Sequence, residues 1–179
     1  PLRYMRELKG YLMHYQKDEG LLNLLEGKRV AIVGPSPHLV GKGIGKLIDE
    51  YDLVCRVNEV HATGYEKDYG DRTDIIFHNC GSRFIDKFGE RLCAKARVSR
   101  YIKYVVCPCV KAVGADNNWN TWSDNHVSVV VENFKKINVF NIPFHWIGMK
   151  NYRQIYDQFG CEPNSGQVAI LMLMEHGVK

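Results

Sequence analysis

Residues 30–79 read VAIVGPSPHLVGKGIGKLIDEYDLVCRVNEVHATGYEKDYGDRTDIIFHN, and this stretch decides the fold. A short apolar run, Val30 to Val33, stops at Gly34. A loop rich in Gly and Pro follows, then a helix-like segment, Ile44 to Glu50. A second apolar run, Leu53 to Val57, ends at Asn58. Strand, glycine turn, helix, strand is the βαβ unit of a nucleotide-binding α/β domain. The loop after the first strand brings backbone N–H groups to the carboxyl edge of the sheet, where such sheets hold phosphates.

Glycine spacing alone says less. Gly41, Gly43 and Gly45 are spaced G-x-G-x-G, not the G-x-G-x-x-G of a dinucleotide site. Gly34 and the Gly41-Lys42 pair stand too far apart for a P-loop, and Gly43 occupies the place where that loop needs Ser or Thr. By spacing, a plain turn from strand to helix is an equal reading.

The whole stretch resembles, without a gap, the long sialyl motif of the family 29 sialyltransferases. The matching residues are Val33, Gly34, Ser36, Leu39, Gly45, Ile48, Asp49, Asp52, Val54, Arg56, Asn58, Thr63, Gly64, Glu66, Asp68, Gly70, Arg72 and Thr73. Further on, Pro163-Asn164-Ser165-Gly166 before an apolar helix is similar to the start of the short sialyl motif, whose core is P-S-T-G. The resemblance implies a CMP-activated sialic acid donor and a glycan hydroxyl as acceptor. It also implies inversion at the anomeric carbon, with no metal and no cofactor. No D-x-D suited to a metal–nucleotide complex occurs in the sequence.

The donor-binding residues implied are Gly34, Ser36, Asn58, Ser165 and Gly166. Gly34 admits a close approach to the backbone. Ser36 offers a hydroxyl and an N–H. The Asn58 amide can read a ribose or a base edge, the alternative being a turn residue at the strand end. Ser165 and Gly166 open a helix whose free N–H groups and dipole favour an anion; Asn164 suits a plain cap equally well. The chain departs from the motif in the first loop, where Pro35, Pro37 and His38 replace the family's Asn, Gly and Asn. Proline removes N–H donors there. His78 and Asn79 end the third strand at the same edge, and a ligand contact is open to them. Asp49, Arg56, Asp68 and Arg72 read as exposed structural charges that pair with one another, worth about 0–1 kcal/mol each.

The chain of 179 residues is expected to form one domain, with 45% apolar and 25% charged residues, as in an ordinary globular chain. Its net charge of +4 and pI near 8.7 suit an anionic small ligand but carry no nucleic-acid stripe. No run reaches the ~20 apolar residues of a membrane span. Of six cysteines, Cys107 and Cys109 form a C-x-C with no second pair at zinc spacing. The resemblance places the family's bridging cysteines at Val30 and Gly177, so both partners are absent together. That pattern fits a reducing, cytosol-like compartment; an anchor upstream would instead fit the Golgi.

Helical spacing is expected over Pro1 to Glu26, broken at Gly10 and Gly20 and stopped by Gly27. Further strands are expected at Asp74–Phe77, Tyr101–Cys107 and Val139–Ile142, and helices at Arg83–Arg97, Val127–Ile137, Asn151–Phe159 and Ser165–His176. The polar connection Gly114–His126 carries Trp119 and Trp122, read first as residues pinning the loop and second as a stacking surface for a sugar. The alternation implies an α/β fold: a Rossmann-like, mostly parallel sheet with helices on both faces, in the GT-A-like variant of sialyltransferases. The catalytic base implied by the resemblance is a His downstream of the short motif. None of the seven histidines occupies that motif, so the chain is expected to be incomplete, at both ends, and inactive alone. Rival readings are a transferase for another nucleotide-activated sugar, motivated by Pro35, and a non-catalytic nucleotide-binding module. A Rossmann oxidoreductase is disfavoured by Asn58 where an acidic residue is needed.

Overall fold

The computed structural model describes residues 18–58, 64–80, 89–90, 101–108 and 126–179. The expected helix at Arg83–Arg97 apart from residues 89–90, the connection carrying Trp119 and Trp122, His61, and the chain before Asp18 lie outside these residues. Five strands form one sheet: β1 Val30–Val33, β2 Leu53–Val57, β3 Ile75–Phe77, β4 Tyr104–Cys107 and β5 Phe144–Trp146. They pair in chain order, and every pair is parallel. The helices are α1 Glu19–Leu25, α2 Gly45–Asp49, α3 Glu66–Tyr69, α4 His126–Ile137, α5 Met149–Phe159 and α6 Ser165–Glu175.

A parallel sheet whose strands follow in chain order takes every crossover on one side, provided each crossover keeps the same hand. The side-chain alternation of the strands bears this out. Val33 and Val54 pack with Ile48 of α2 and Tyr69 of α3. On the same face Ile76, Val105 and Cys107 pack with Phe134 of α4. The other face carries Leu53, Cys55, Val57, Ile75, Phe77 and Val106, covered by Leu21 and Leu25 of α1, Ile155 of α5 and Val168 and Met172 of α6. With helices on both faces, β2 is buried at all five positions and reads as a continuous apolar run except for Arg56. Each fully buried Ile, Leu or Phe contributes about 1.5–3 kcal/mol.

Two differences from the expectation are more than a shift of an element's end by one to three residues. The fifth strand starts after Pro143, not before it. Residues 139–142 turn instead, because the Asn138 amide brackets Ile142: its Oδ1 accepts the Ile142 N–H at 2.8 Å and its Nδ2 donates to the Ile142 carbonyl at 2.9 Å. Asn141 adopts φ 52°, which a strand cannot contain. Gly20 does not break a helix. Asp18 caps α1 by accepting the Leu21 N–H at 3.0 Å, and Gly20 sits in the first turn. Its lack of a side chain is a matter of space, since a Cβ there would lie 2.4 Å from the Tyr104 hydroxyl.

The charged residues of the long motif also behave differently. They bond to backbone far more than to one another. Arg56 is 2% exposed. Its guanidinium donates to the carbonyls of Tyr69, Gly70 and Arg72 and to Thr73 Oγ1, at 2.9–3.2 Å. Burial pulls its pKa down, opposed by Asp49 and Asp71. Arg72 donates to the carbonyls of Asp49, Tyr51 and Asp52 and to Asp74 Oδ2, while Asp49 accepts the N–H groups of Asp71 and Arg72. These are long-range staples of loop to strand. The small value of an exposed ion pair does not apply to the buried guanidinium.

Candidate functional site

Every strand of a parallel sheet ends at the same edge, so the loops that follow the strands converge there. Gly34 to Ser36 follow β1, Asn58 follows β2, and His78 and Asn79 follow β3. The start of α6 belongs to this edge too. α5 begins one residue after Gly148 at the end of β5, and its Tyr152 hydroxyl donates to the Pro163 carbonyl at 3.3 Å. At its far end, α6 returns to the opposite edge. The Gly177 carbonyl accepts from Gly27 N–H at 3.3 Å, and Lys179 N–H donates to the Lys28 carbonyl at 2.8 Å. The helix therefore runs antiparallel to the strands, over β2 and β3, with Ser165 at the carboxyl edge. All five expected donor-binding residues share this edge.

Gly34 is exposed, and a Cβ built on it meets nothing within 4 Å. Nothing within the described fold requires glycine at this position. Ser36 is exposed, its Oγ accepts a long 3.5 Å bond from the His38 N–H, and its carbonyl accepts from the Tyr69 hydroxyl. Pro37–Leu39 form a single 3₁₀ turn. Asn58 is exposed at φ 62°, a left-handed conformation that Asn tolerates better than most residues, and its N–H donates to the Phe77 carbonyl at 2.9 Å. The backbone thus needs a turn former here, and the side-chain amide is exposed at the carboxyl edge.

Asn164 caps α6 by a reciprocal pair of bonds. Its Oδ1 accepts Gln167 N–H at 2.9 Å, and Gln167 Oε1 accepts Asn164 N–H at 2.9 Å. The cap uses two of the orphan donors. The N–H groups of Ser165 and Gly166 have no acceptor among the described residues. They point along the dipole of an eleven-residue helix.

The glycine loop is occupied by the chain itself. Asp68 Oδ2 accepts Gly41 N–H at 2.8 Å, and Oδ1 accepts Gly43 N–H at 2.7 Å. Gly41 and Gly43 have φ 78° and 65°, which only glycine adopts readily. These two N–H groups serve a carboxylate of the fold, not a phosphate. The two bonds hold the Asp68 carboxyl below its ordinary range. Gly45 lets α2 touch α3, since a Cβ would lie 2.0 Å from the Glu66 carbonyl.

His78 is 6% exposed, and its Nδ1 accepts the Cys80 N–H at 3.0 Å, which leaves Nε2 to carry the proton in the neutral ring. No group of three or more His, Cys, Asp or Glu able to hold a metal occurs among the described residues. No helix among them is long and apolar enough to cross a membrane. Cys55, Cys80, Cys107 and Cys161 are free thiols, and burial pushes the Cys55 and Cys80 pKa values far up, leaving both inert.

One cluster has no counterpart in the sequence reading. Asp18 accepts from the Tyr104 hydroxyl at 3.1 Å and lies 3.4 Å from His145 Nδ1. His145 and His176 are 5% and 7% exposed, and His145 Nε2 is buried without a partner. Burial lowers the pKa of both histidines. At Asp18 burial acts to raise the pKa, but the bonds from Leu21 and Tyr104 and the nearby His145 outweigh it, and the carboxyl lies low. These residues lie on the face that α1 and α6 cover, away from the donor edge. Only the spacing of Asp18 before an apolar helix hints at any of it.

The model of glycosyltransferase family 29 (sialyltransferase) matches residues 6–157. A CMP-N-acetylneuraminate-beta-1,4-galactoside alpha-2,3-sialyltransferase of Rattus norvegicus is 41% identical over 54 residues, which is 30% of this chain and 14% of the relative. A CMP-N-acetylneuraminate-beta-galactosamide-alpha-2,3-sialyltransferase 2 of Mus musculus is 41% identical over 50 residues, 28% of this chain and 14% of the relative. A CMP-N-acetylneuraminate-beta-galactosamide-alpha-2,3-sialyltransferase 4 of Rattus norvegicus is 39% identical over 64 residues, 35% of this chain and 19% of the relative. The matched stretch thus spans less than a fifth of each relative's length. The family match covers well over half of the chain, and the chain belongs to glycosyltransferase family 29, the sialyltransferase family.

Proposed function

We propose that this chain binds the nucleotide-activated sugar of a sialyl transfer. The donor is CMP-sialic acid, the acceptor a glycan hydroxyl, and the reaction inverts the anomeric carbon without a metal or cofactor. The observation that carries the reading is the meeting of two kinds of group at one sheet edge. Exposed polar groups follow β1 and β2, and the N–H groups of Ser165 and Gly166, without an acceptor among the described residues, open α6. The leaving group is the CMP phosphate. N–H donors at a helix N-terminus stabilise the negative charge that gathers on it as the glycosidic bond breaks. Asn58 and Ser36 supply contacts to the nucleoside. Gly34 keeps the loop open for its approach.

The acceptor hydroxyl must lose a proton, which requires a base. Of the described histidines, His38 and His78 stand at the carboxyl edge, His126 opens α4, and His145 and His176 are buried in the other cluster. Thermal unfolding with added nucleotide tests the donor. CMP at about one hundred times its dissociation constant should stabilise the fold by about 2.7 kcal/mol, and UDP or GDP much less. Equal protection by all three would remove the cytidine preference. A second reading, a transferase of another nucleotide-activated sugar, is favoured by Pro35, which has no N–H to offer a donor. Stronger protection by UDP or GDP than by CMP would select it.

A further inference from the structure

The loop from Gly34 to Gly43 is tied to α3 at two places. Asp68 holds the N–H groups of Gly41 and Gly43 at its far end. At its near end the Tyr69 hydroxyl donates to the Ser36 carbonyl. Ser36 sits between two prolines, so neither neighbour has an N–H to anchor the turn. The remaining bonds are local: Ser36 Oγ accepts from His38, and the Pro37 and Leu39 carbonyls accept from Val40 and Lys42. Among the described residues, Tyr69 makes the one hydrogen bond that joins residues 34–38 to another element. Its own position is firm. The ring is 7% exposed and packs with Val33, Ile48 and Val54, with an edge-on contact to Tyr65 at 6.4 Å. Its carbonyl accepts from the buried Arg56 at 2.9 Å.

We infer that Tyr69 is a positioning residue for the donor loop: its hydroxyl fixes the Ser36 carbonyl against α3 and thereby sets where Ser36 meets the nucleotide. The inference rests on the donor-site reading above. A loop fixed before the ligand arrives loses less entropy on binding than one that must be ordered by it. The hydroxyl therefore acts on affinity rather than on the stability of the core, where the ring does the packing.

Tyr69→Phe isolates the hydroxyl. Two measurements on the 179-residue chain separate the outcomes. Without ligand, amide hydrogen exchange of a peptide spanning residues 34–40 should quicken in the variant while the thermal midpoint hardly moves. With ligand, calorimetric titration should find CMP bound about threefold to tenfold more weakly, as expected for one lost hydrogen bond. Tyr69→Leu, which also removes the ring, should lower the midpoint clearly. Unchanged exchange in Tyr69→Phe overturns the inference, whether or not CMP binds. Faster exchange with unchanged CMP affinity also overturns it, because the loop would then move without consequence for the ligand. If the wild-type chain binds no CMP at all, the donor-site reading fails, and the positioning role falls with it.

Discussion

The Asp68 carboxylate accepts the Gly43 N–H at 2.7 Å, across twenty-five residues of chain. An anion does sit in the glycine loop, as the sequence suggested, but it is part of the protein. The loop is therefore shaped in the absence of ligand, and the N–H groups without an acceptor among the described residues are those of Ser165 and Gly166 at the start of α6. Asp68→Ala should lower the thermal midpoint at neutral pH. The sign of the pH effect follows from the lowered pKa: the stability exists above the ordinary carboxylate value near 3.8 and is lost as pH falls through the lower, folded value. Wild type and variant should converge in melting experiments well below pH 4.

Glycines 34 and 45 should respond in opposite ways. Gly45→Ala drives a methyl to within 2.0 Å of the Glu66 backbone and should destabilise by about 1–3 kcal/mol or more in urea unfolding. Gly34→Ala faces open space and should leave the unfolding midpoint unchanged while weakening CMP binding. If CMP binds Gly34→Ala as it binds wild type, the ligand does not approach the backbone there.

Asn58 holds a left-handed turn and is also the proposed nucleoside contact, so the choice of substitution matters. Asn58→Ala combines loss of the amide with a left-handed φ, a strain of about 1 kcal/mol. Asn58→Gly keeps the conformation and removes only the amide. The Gly variant should fold as well as wild type and bind CMP about 1–3 kcal/mol more weakly by calorimetric titration. Full affinity in Asn58→Gly would make Asn58 a turn residue and nothing else.

Arg56→Met should be the most damaging change at a charged position. It keeps the volume but strips donors from three carbonyls and one hydroxyl around a site that is 2% exposed. Leaving such acceptors unmet should destabilise by about 3 kcal/mol in chemical unfolding. A shift below about 0.5 kcal/mol would mean that water replaces the guanidinium.

Stability should follow pH through two opposed effects. Burial lowers the pKa of His145 and His176, so their contribution is present above about pH 6.5 and fades as pH falls through the folded values. Burial raises the Glu175 pKa to about 7, so its contribution is present below about pH 4.5 and is lost as pH rises through 7. Glu175 is only half-buried, which reduces the size of the second effect. Glu175→Gln should melt higher than wild type at pH 8 and lose that advantage near pH 4.5. No difference at pH 8 would show that Glu175 is solvated.

The sheet was readable because its strands are short apolar runs ended by Gly or Asn, and because the sequence alternates strand with helix. β1 and β2 match the expected runs to the residue. The fifth strand was not readable. Val139 to Ile142 has the stronger strand composition, and the bracket from Asn138 that turns it aside is a local side-chain-to-backbone contact that composition does not reveal. Topology alone was enough to put the five expected donor-binding residues on one edge. It could not show that Asp68 fills the glycine loop or that Arg56 bonds to carbonyls, because both depend on contacts to distant backbone. Asp68 reads in the sequence as one of four structural charges paired with one another, whereas its partners are the backbone N–H groups of Gly41 and Gly43.

Because the described crossover helices α2, α3 and α4 share one face of the sheet, the two faces close at different times during synthesis. As residues 30–107 leave the ribosome, α2 and α3 can fold at once over Val33 and Val54. Leu53, Ile75, Phe77 and Val106 on the reverse side must wait for α5 and α6. Until then, of the described helices on that side, the short α1 alone is at hand to shield them. Such transiently bare apolar surface invites misassociation and chaperone capture. Weakening α6, far along the chain, should therefore reduce the yield of folded protein more than a defect of equal energy in α2.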